Sequence, residues 1–209
     1  MRPLTDHIPK PLLKVGGKSL IVWHLERLAK AGFKEVVINH AHLGGQIELA
    51  LGEGSKWGLH IQYSPEKTAL ETAGGIANAL PLLGNQPFMV VNGDTFTEID
   101  FGALKHALQA NNHVHLVLVN NPPQHPKGDF AIEAGMLQNT GEQMLTFSGV
   151  GVYHPDLFAV VPRGEAAKLA PLLRNAIAET KATAEHFEGV WHDIGTPERL
   201  SALDKELKR

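Results

Sequence analysis

Three side chains stand where the local sequence would hold them still: Lys10, Asp94 and Asp193. Lys10 lies between Pro9 and Pro11. Prolines on both sides stiffen the backbone, so the ammonium is presented from a set place. A lysine held this way suits a phosphate, with a solvated surface lysine as the plainer alternative. Asp94 follows the apolar run Phe88-Met89-Val90-Val91 and the turn signal Asn92-Gly93. The run predicts a buried strand, and ligands gather just outside the carboxyl ends of strands in open α/β sheets. Asp193 ends a second short strand, Val190-Trp191-His192, in the same way. Carboxylates at adjacent strand ends can share one Mg²⁺, which takes a few oxygen ligands besides substrate phosphates. The competing readings are a capping aspartate at 94 and a loop tether at 193.

Glu71-Thr72-Ala73-Gly74-Gly75 opens a predicted helix. Two glycines would let a ligand approach backbone N–H groups there, where a helix N-terminus favours anions or a polar base edge. A plain glycine-rich turn gives the same pattern. The 12 histidines are scattered, and only His40/His42 and His113/His115 form close pairs. Neither pair has the helical i, i+4 spacing of zinc sites, so they are read as surface or strand residues.

The elements that must position these groups follow a strand–helix rhythm. Residues 1–19 carry Pro3, Pro9 and Pro11 and end near Gly16-Gly17, which predicts a loop. A helix is expected from the Ser19 cap to Gly32, a buried strand at Glu35–Asn39 and a helix over Gly44–Leu51. A strand at Leu59–Tyr63, a helix at Thr72–Leu82 and a short helix at Phe101–Gln109 continue the rhythm. Alternating strands and helices imply right-handed crossovers and an α/β fold: a Rossmann-like, largely parallel (mixed) sheet flanked by helices. Beyond Asn112 strands dominate, at 113–119, 130–133 and 145–153, then 186–187 and 190–194. Helices are expected at 155–161 and 168–180, and from the Thr196 cap with Pro197 at its first position. The polar segment Asn120–Asp129 reads as a loop over the ligand edge.

Bulk properties narrow the function. The 209 residues, 43% hydrophobic and 20% charged, suit a single domain, 1–209. A net charge of −3 offers no basic footprint, so no nucleic-acid partner is expected. There is no cysteine, which excludes disulfides and thiol catalysis. No apolar run approaches the roughly 20 residues of a membrane span, so no membrane partner is expected and a cytoplasmic setting is.

Taken in order, Met1-Arg2-Pro3-Leu4-Thr5, Pro9-Lys10-Pro11-Leu12, Glu71–Gly75, Asn92-Gly93-Asp94 and Trp191-His192-Asp193-Ile194-Gly195-Thr196 resemble the sugar-1-phosphate nucleotidylyltransferases. The resemblance covers essentially the whole chain. Val37–Ala41, Tyr63–Glu66, Gly128-Asp129-Phe130, Thr146–Gly149 and Lys168–Leu173 resemble the branch that transfers uridylyl groups to N-acetylmuramic acid 1-phosphate. The resemblance implies a nucleotide-diphospho-sugar transferase fold, UTP and a sugar 1-phosphate as partners, and Mg²⁺ as cofactor on Asp94 and Asp193. Lys10, Asp94 and Asp193 would be the catalytic set. Glu71, Gly74 and Gly75 would meet the uracil, with Thr72 and Asn92 among the substrate-binding residues. Asp129, Ser148, Gly149 and Lys168 would line the sugar side. The expected state is a monomer.

One departure from the family pattern matters. The family opens with a hydrophobic strand and a glycine-rich loop, Ala-Ala-Gly-x-Gly-x-Arg, just before the residues that here are Met1-Arg2-Pro3. Met1 therefore aligns with an internal position. The expectation is an N-terminally truncated chain that binds nucleotide poorly and turns over slowly or not at all. The alternatives are a mannose- or glucose-1-phosphate nucleotidylyltransferase and a non-catalytic sugar-nucleotide-binding regulatory protein.

Overall fold

Gly16 and Gly17, at φ of 57° and 83°, turn the chain between two short strands in a segment read as loop. In the computed structural model, which describes residues 1–109 and 111–208, these strands are β1 (Lys14–Val15) and β2 (Lys18–Ser19). They are followed by α1 (Leu20–Lys30), β3 (Glu35–His40), α2 (Gly44–Leu51), β4 (His60–Pro65) and α3 (Glu71–Leu83). Next come β5 (Phe88–Val91), β6 (Thr95–Thr97), β7 (Val114–Val119), β8 (Phe130–Glu133), β9 (Met136–Gln138) and β10 (Met144–Tyr153). The chain closes with α4 (Leu169–Ala178), β11 (Ala182–Phe187), β12 (Trp191–Asp193) and α5 (Pro197–Glu206). The helices expected at 101–109 and 155–161 are only single 3₁₀ turns, Ala103–His106 and Pro155–Phe158. Strands β6 and β9, three residues each, had no alternation long enough to be read.

Contacts gather the chain into two compact units, one of residues 1–69, 92–102 and 190–209, the other of residues 70–91 and 103–189. In the first, α1 is the shared wall of two apolar clusters. Leu20 packs with Leu13, Val15, Phe96, Ile194 and Leu203, while Ile21 and Leu25 pack with Ile47, Leu51, Leu59 and Ile61. Strands β3 and β4 pair in parallel from Glu35↔His60 to His40↔Pro65. Strands β6 and β12 form an antiparallel ribbon.

The second unit holds a six-stranded sheet of order β5-β10-β7-β11-β9-β8, with β8 pairing also to β10. Strand β7 is buried at all six positions, as its run of Val, Leu and His residues between two neighbours requires. The fold is mixed α/β, as read. The largely parallel sheet expected from the strand–helix rhythm is instead largely antiparallel, because β7 to β10 follow one another without intervening helices. Parallel pairing joins β3 to β4 and β7 to β11, and the other described pairings are antiparallel. The buried strands expected at 35–39 and 88–91 are half-exposed instead: β3 and β5 each have a strand partner on one side only among the described residues.

Helices α3 and α4 bring Ala73, Ile76, Ala77, Leu172, Leu173 and Ala176 onto this sheet. The small residues of α3 permit close approach, and Tyr153 fills the space beyond, with Phe88 and Phe158 at 6.3 and 5.8 Å between ring centroids. The Tyr153 hydroxyl is fully buried without a hydrogen-bond partner among the described residues, and burial pushes its pKa up. An orphaned buried hydroxyl costs stability that phenylalanine would not. Tyr153→Phe is therefore expected to raise stability by about 1 kcal/mol, and urea unfolding checks it.

Candidate active site

The β6/β12 ribbon makes the backbones of the two aspartates of the sequence reading neighbours. Thr95 stands opposite Asp193, Phe96 opposite His192 and Thr97 opposite Trp191. Asp94 precedes Thr95, and the N–H of Ile194 donates to the Asp94 carbonyl at 3.2 Å, so the two aspartates are one register step apart. Asn92 sets the turn into the ribbon: its carbonyl accepts from the Thr95 N–H at 3.4 Å and from Thr95 Oγ1 at 3.0 Å.

Lys10 reaches this ribbon from a 3₁₀ turn, Lys10–Leu12, in which the Leu12 N–H donates to the Pro9 carbonyl at 2.8 Å. Pro9 is buried, so the turn is anchored. Lys10 Nζ donates to Asp94 Oδ2 at 2.6 Å, with both side chains partly exposed. Pro11 lies over Gly93, where an added Cβ would stand 3.4 Å from the proline ring.

Asp193 has its own cation, which the sequence reading missed. Arg199 Nη1 donates to the Asp193 carbonyl at 3.2 Å and to Asp193 Oδ2 in a shorter contact. The signal available was the Thr196-Pro197 start of α5, which puts residue 199 in the first turn, pointing back to the strand end. Thr196 does cap α5, accepting from the Arg199 N–H at 3.3 Å.

His24 was also missed. It lies on α1, 4% exposed, and its Nε2–H donates to the Thr95 carbonyl at 2.8 Å. That bond ties α1 to the ribbon one residue beyond Asp94. Its Nδ1 is buried without a partner, and burial pushes its pKa down to about 4. The unfolded chain, with a histidine near 6.5, binds the proton more readily, so stability is full above pH 6.5 and is lost as pH falls towards 4. A loss on the order of 2 kcal/mol is expected by pH 5. Urea titrations from pH 7.5 to 5 would show it, and His24→Gln, which keeps a donor, should flatten the profile.

Beside Lys10 the same unit has a cavity of about 700 Å³, within the range of small-molecule sites. Arg2 and Thr5 line one side, and Asn39, His40, Ala41 and His42 the other. Asn39 and His40 end β3 and Ala41 and His42 follow it, at the edge where ligands gather in such sheets.

The remaining predicted residues lie in the second unit. Glu71 and Thr72 are exposed at the start of α3, and Glu71 has a left-handed φ of 60°. A non-glycine residue there is strained by on the order of 1 kcal/mol. The expected role of Gly74 needs correction. The N–H groups of Ala73 and Gly74 already donate to the Ala167 carbonyl at 2.9 and 3.1 Å, and a Cβ at Gly74 would stand 2.2 Å from the Glu165 carbonyl oxygen. The approach this glycine permits is that of the chain's own 165–167 segment. Gly75 is buried in the same turn. Lys168 follows directly and is exposed at the start of α4, so these hydrogen bonds bring it beside Glu71 and Thr72.

Asp129 pins the 120–129 loop. Its Oδ2 accepts from the Phe147 N–H at 2.8 Å and its Oδ1 pairs with His125 Nε2 at 3.0 Å. Ser148 is fully buried; its Oγ donates to the Val117 carbonyl at 2.6 Å and accepts from the Val150 N–H at 3.1 Å. With Gly149 at φ 80°, it makes the β-bulge of β10 between Phe147 and Val150. The Ser148 hydroxyl, expected on the sugar side, is engaged by the backbone of its own sheet, which gives it a part in shaping this bulge.

An anchored lysine paired with Asp94, beside a cavity of ligand size in a mixed α/β fold, is an arrangement that suits phosphate chemistry. The chain belongs to the nucleotidyl transferase family, whose sequence model matches residues 1–147. It is 54% identical over 207 residues to the N-acetylmuramate alpha-1-phosphate uridylyltransferase of Neisseria meningitidis serogroup B, covering 96% of this chain and 90% of that one. The enzyme of the same name from Caulobacter vibrioides is 33% identical over 99% of this chain and 91% of its own. Among solved structures, HddC from Yersinia pseudotuberculosis, complexed with GMP-PN, has a TM-score of 0.78 at 19% identity, covering 99% of this chain and 93% of that one. At that identity the likeness speaks for the fold alone.

Proposed function

We propose that this protein transfers a uridylyl group from UTP to N-acetylmuramic acid 1-phosphate, forming UDP-N-acetylmuramic acid and releasing pyrophosphate. The observation that carries the reading is 54% identity across 96% of the chain to a relative of that name. In the reaction, a sugar-phosphate oxygen forms a bond to the α-phosphorus of UTP while the bond from that phosphorus to the β-bridging oxygen breaks. Lys10 would draw charge from the phosphates, as expected of chemistry run by positioning and electrostatics. Asp94 and Asp193 fit a Mg²⁺ ion, because two ionised oxygens suffice when phosphates and water complete its shell. Mg²⁺, when bound, would screen the crowded phosphates from the incoming nucleophile.

In the second unit, Glu71 and Thr72 at the start of α3 are proposed to meet the uracil. Lys168 and Asp129 are proposed to serve the sugar phosphate, with Ser148 and Gly149 shaping the strand beneath. The proposal takes residues 1–209 as one nucleotidylyltransferase domain, a monomer working in the cytoplasm in peptidoglycan recycling. No described helix is long and apolar enough to cross a membrane.

The test is pyrophosphate release from UTP and N-acetylmuramic acid 1-phosphate with Mg²⁺, run beside GTP with mannose 1-phosphate and UTP with glucose 1-phosphate. Preference for the first pair supports the reading. Preference for another pair reassigns the substrate, and UDP-sugar binding without turnover on any pair favours a regulatory protein.

A further inference from the structure

Each of the two carboxylates assigned to the metal is already matched by a cation from another element. Lys10 Nζ lies 2.6 Å from Asp94 Oδ2, and Arg199 holds Asp193 through both its carbonyl and its carboxylate. We infer that Lys10 and Arg199 are resident counter-cations of the aspartate pair, and that Arg199 is a positioning residue that keeps affinity for a free divalent ion low until a polyphosphate draws it off Asp193. The inference rests on the metal assignment above and deepens it.

Three observations carry it. The first is charge: the Asp94 carboxylate meets the Lys10 ammonium and the Asp193 carboxylate the Arg199 guanidinium, so each is matched before any ligand arrives. A divalent ion must then compete with N–H donors for oxygens that have partners, whereas a triphosphate offers both cations a more highly charged acceptor. Arginine in particular forks onto phosphate. The second is a built seat. A Cβ on Gly195 would stand 2.5 Å from Arg199 Nη2 and 3.0 Å from Cζ, so the bare glycine is what lets the guanidinium lie against the backbone beside Asp193. The third is reach. The Arg199 backbone is fixed by the Thr196 cap, yet its side chain is 33% exposed and that of Asp193 35%, so ligand oxygens can approach both.

A purely structural Arg199 predicts the opposite sign. If it only braced the end of the ribbon, its loss would scatter Asp193 and weaken metal binding. If it is a counter-cation, its loss strengthens binding of the ion alone. The gain should come at the expense of the coupling between ion and nucleotide, since such coupling is reciprocal.

The test uses Mn²⁺ as probe, its free fraction read by electron paramagnetic resonance with and without UTP. Arg199→Met is expected to bind Mn²⁺ alone about tenfold more tightly, the scale of removing one adjacent unit charge from a half-exposed site. The factor by which UTP tightens Mn²⁺ should shrink to match, and Arg199→Lys should stay near the wild type. Gly195→Ala, which pushes the flexible end of Arg199 off its seat, should move in the same direction as Arg199→Met and serves if that variant does not fold. Unchanged or weaker Mn²⁺ binding in a folded Arg199→Met or Gly195→Ala protein overturns the inference. Asp193→Asn separates the two layers. If it leaves Mn²⁺ binding unaltered, the metal assignment itself fails; if it abolishes binding while Arg199→Met changes nothing, only the counter-cation role falls.

Discussion

Asp94→Asn is expected to lower UDP-sugar formation by a factor of about 10³, the scale of several kcal/mol of lost charge stabilisation. The substitution keeps the shape of the side chain and removes its charge. Asparagine is a poor ligand for a hard divalent ion, and Lys10, which has Asp94 Oδ2 at 2.6 Å, would lose its ionic partner and its fixed direction. Two contributions to positioning the phosphates fail together, so the loss should appear in kcat more than in KM. Stability should hardly move. The Asp94 side chain is 41% exposed, and pairs this open contribute only about 0–1 kcal/mol. Steady-state kinetics with a urea melt on the same preparation would check both. A melt that fell along with the rate would mean that Asp94 is a structural residue after all.

Gly74→Ala is the corresponding prediction for the fold, with an expected loss of about 3 kcal/mol or more. The added Cβ would sit 2.2 Å from the Glu165 carbonyl oxygen and 2.9 Å from the Ala167 nitrogen. Both are backbone atoms, so no side chain can swing aside to make room. Relief would require the 165–167 segment to withdraw, breaking the hydrogen bonds from Ala73 and Gly74 to the Ala167 carbonyl. Gly45→Ala is the control. It lies in α2 with nothing within 4 Å of the added carbon, and should gain about 0.5 kcal/mol from the stiffer unfolded chain. Urea unfolding of the two variants should therefore shift in opposite directions.

These predictions show where the sequence was legible. The start of α1 at Leu20 and the Pro197 start of α5 coincide with the reading, because apolar spacing in α1 and the Thr196 cap in α5 are local properties, although the Ser19 side chain makes no capping hydrogen bond. Lys10 was legible for a similar reason: its neighbours alone stiffen it. Other features were mistaken for their lookalikes. A glycine pair at the head of a helix has the same local pattern whether it admits a ligand or another stretch of chain. Gly74 admits residues 165–167, about ninety positions away in the sequence. Ser148, which the resemblance puts on the sugar side, closes a bulge whose hydroxyl partner is on β7, 31 positions away.

By itself the sequence determined the α/β class and the family resemblance and singled out Lys10, Asp94 and Asp193 as candidates, because periodicity and ordered motifs are written in neighbouring residues. Only the tertiary structure decided what stands against those three. The antiparallel register of β6 with β12 sets Asp94 beside Asp193, the Gly195 seat places Arg199, and the fold of α1 brings His24 to the Thr95 carbonyl. Each of these depends on a close approach between segments remote in the chain or on a side chain curling back over its own backbone. Such distances are set by the packing of the whole unit, which no short stretch of residues contains.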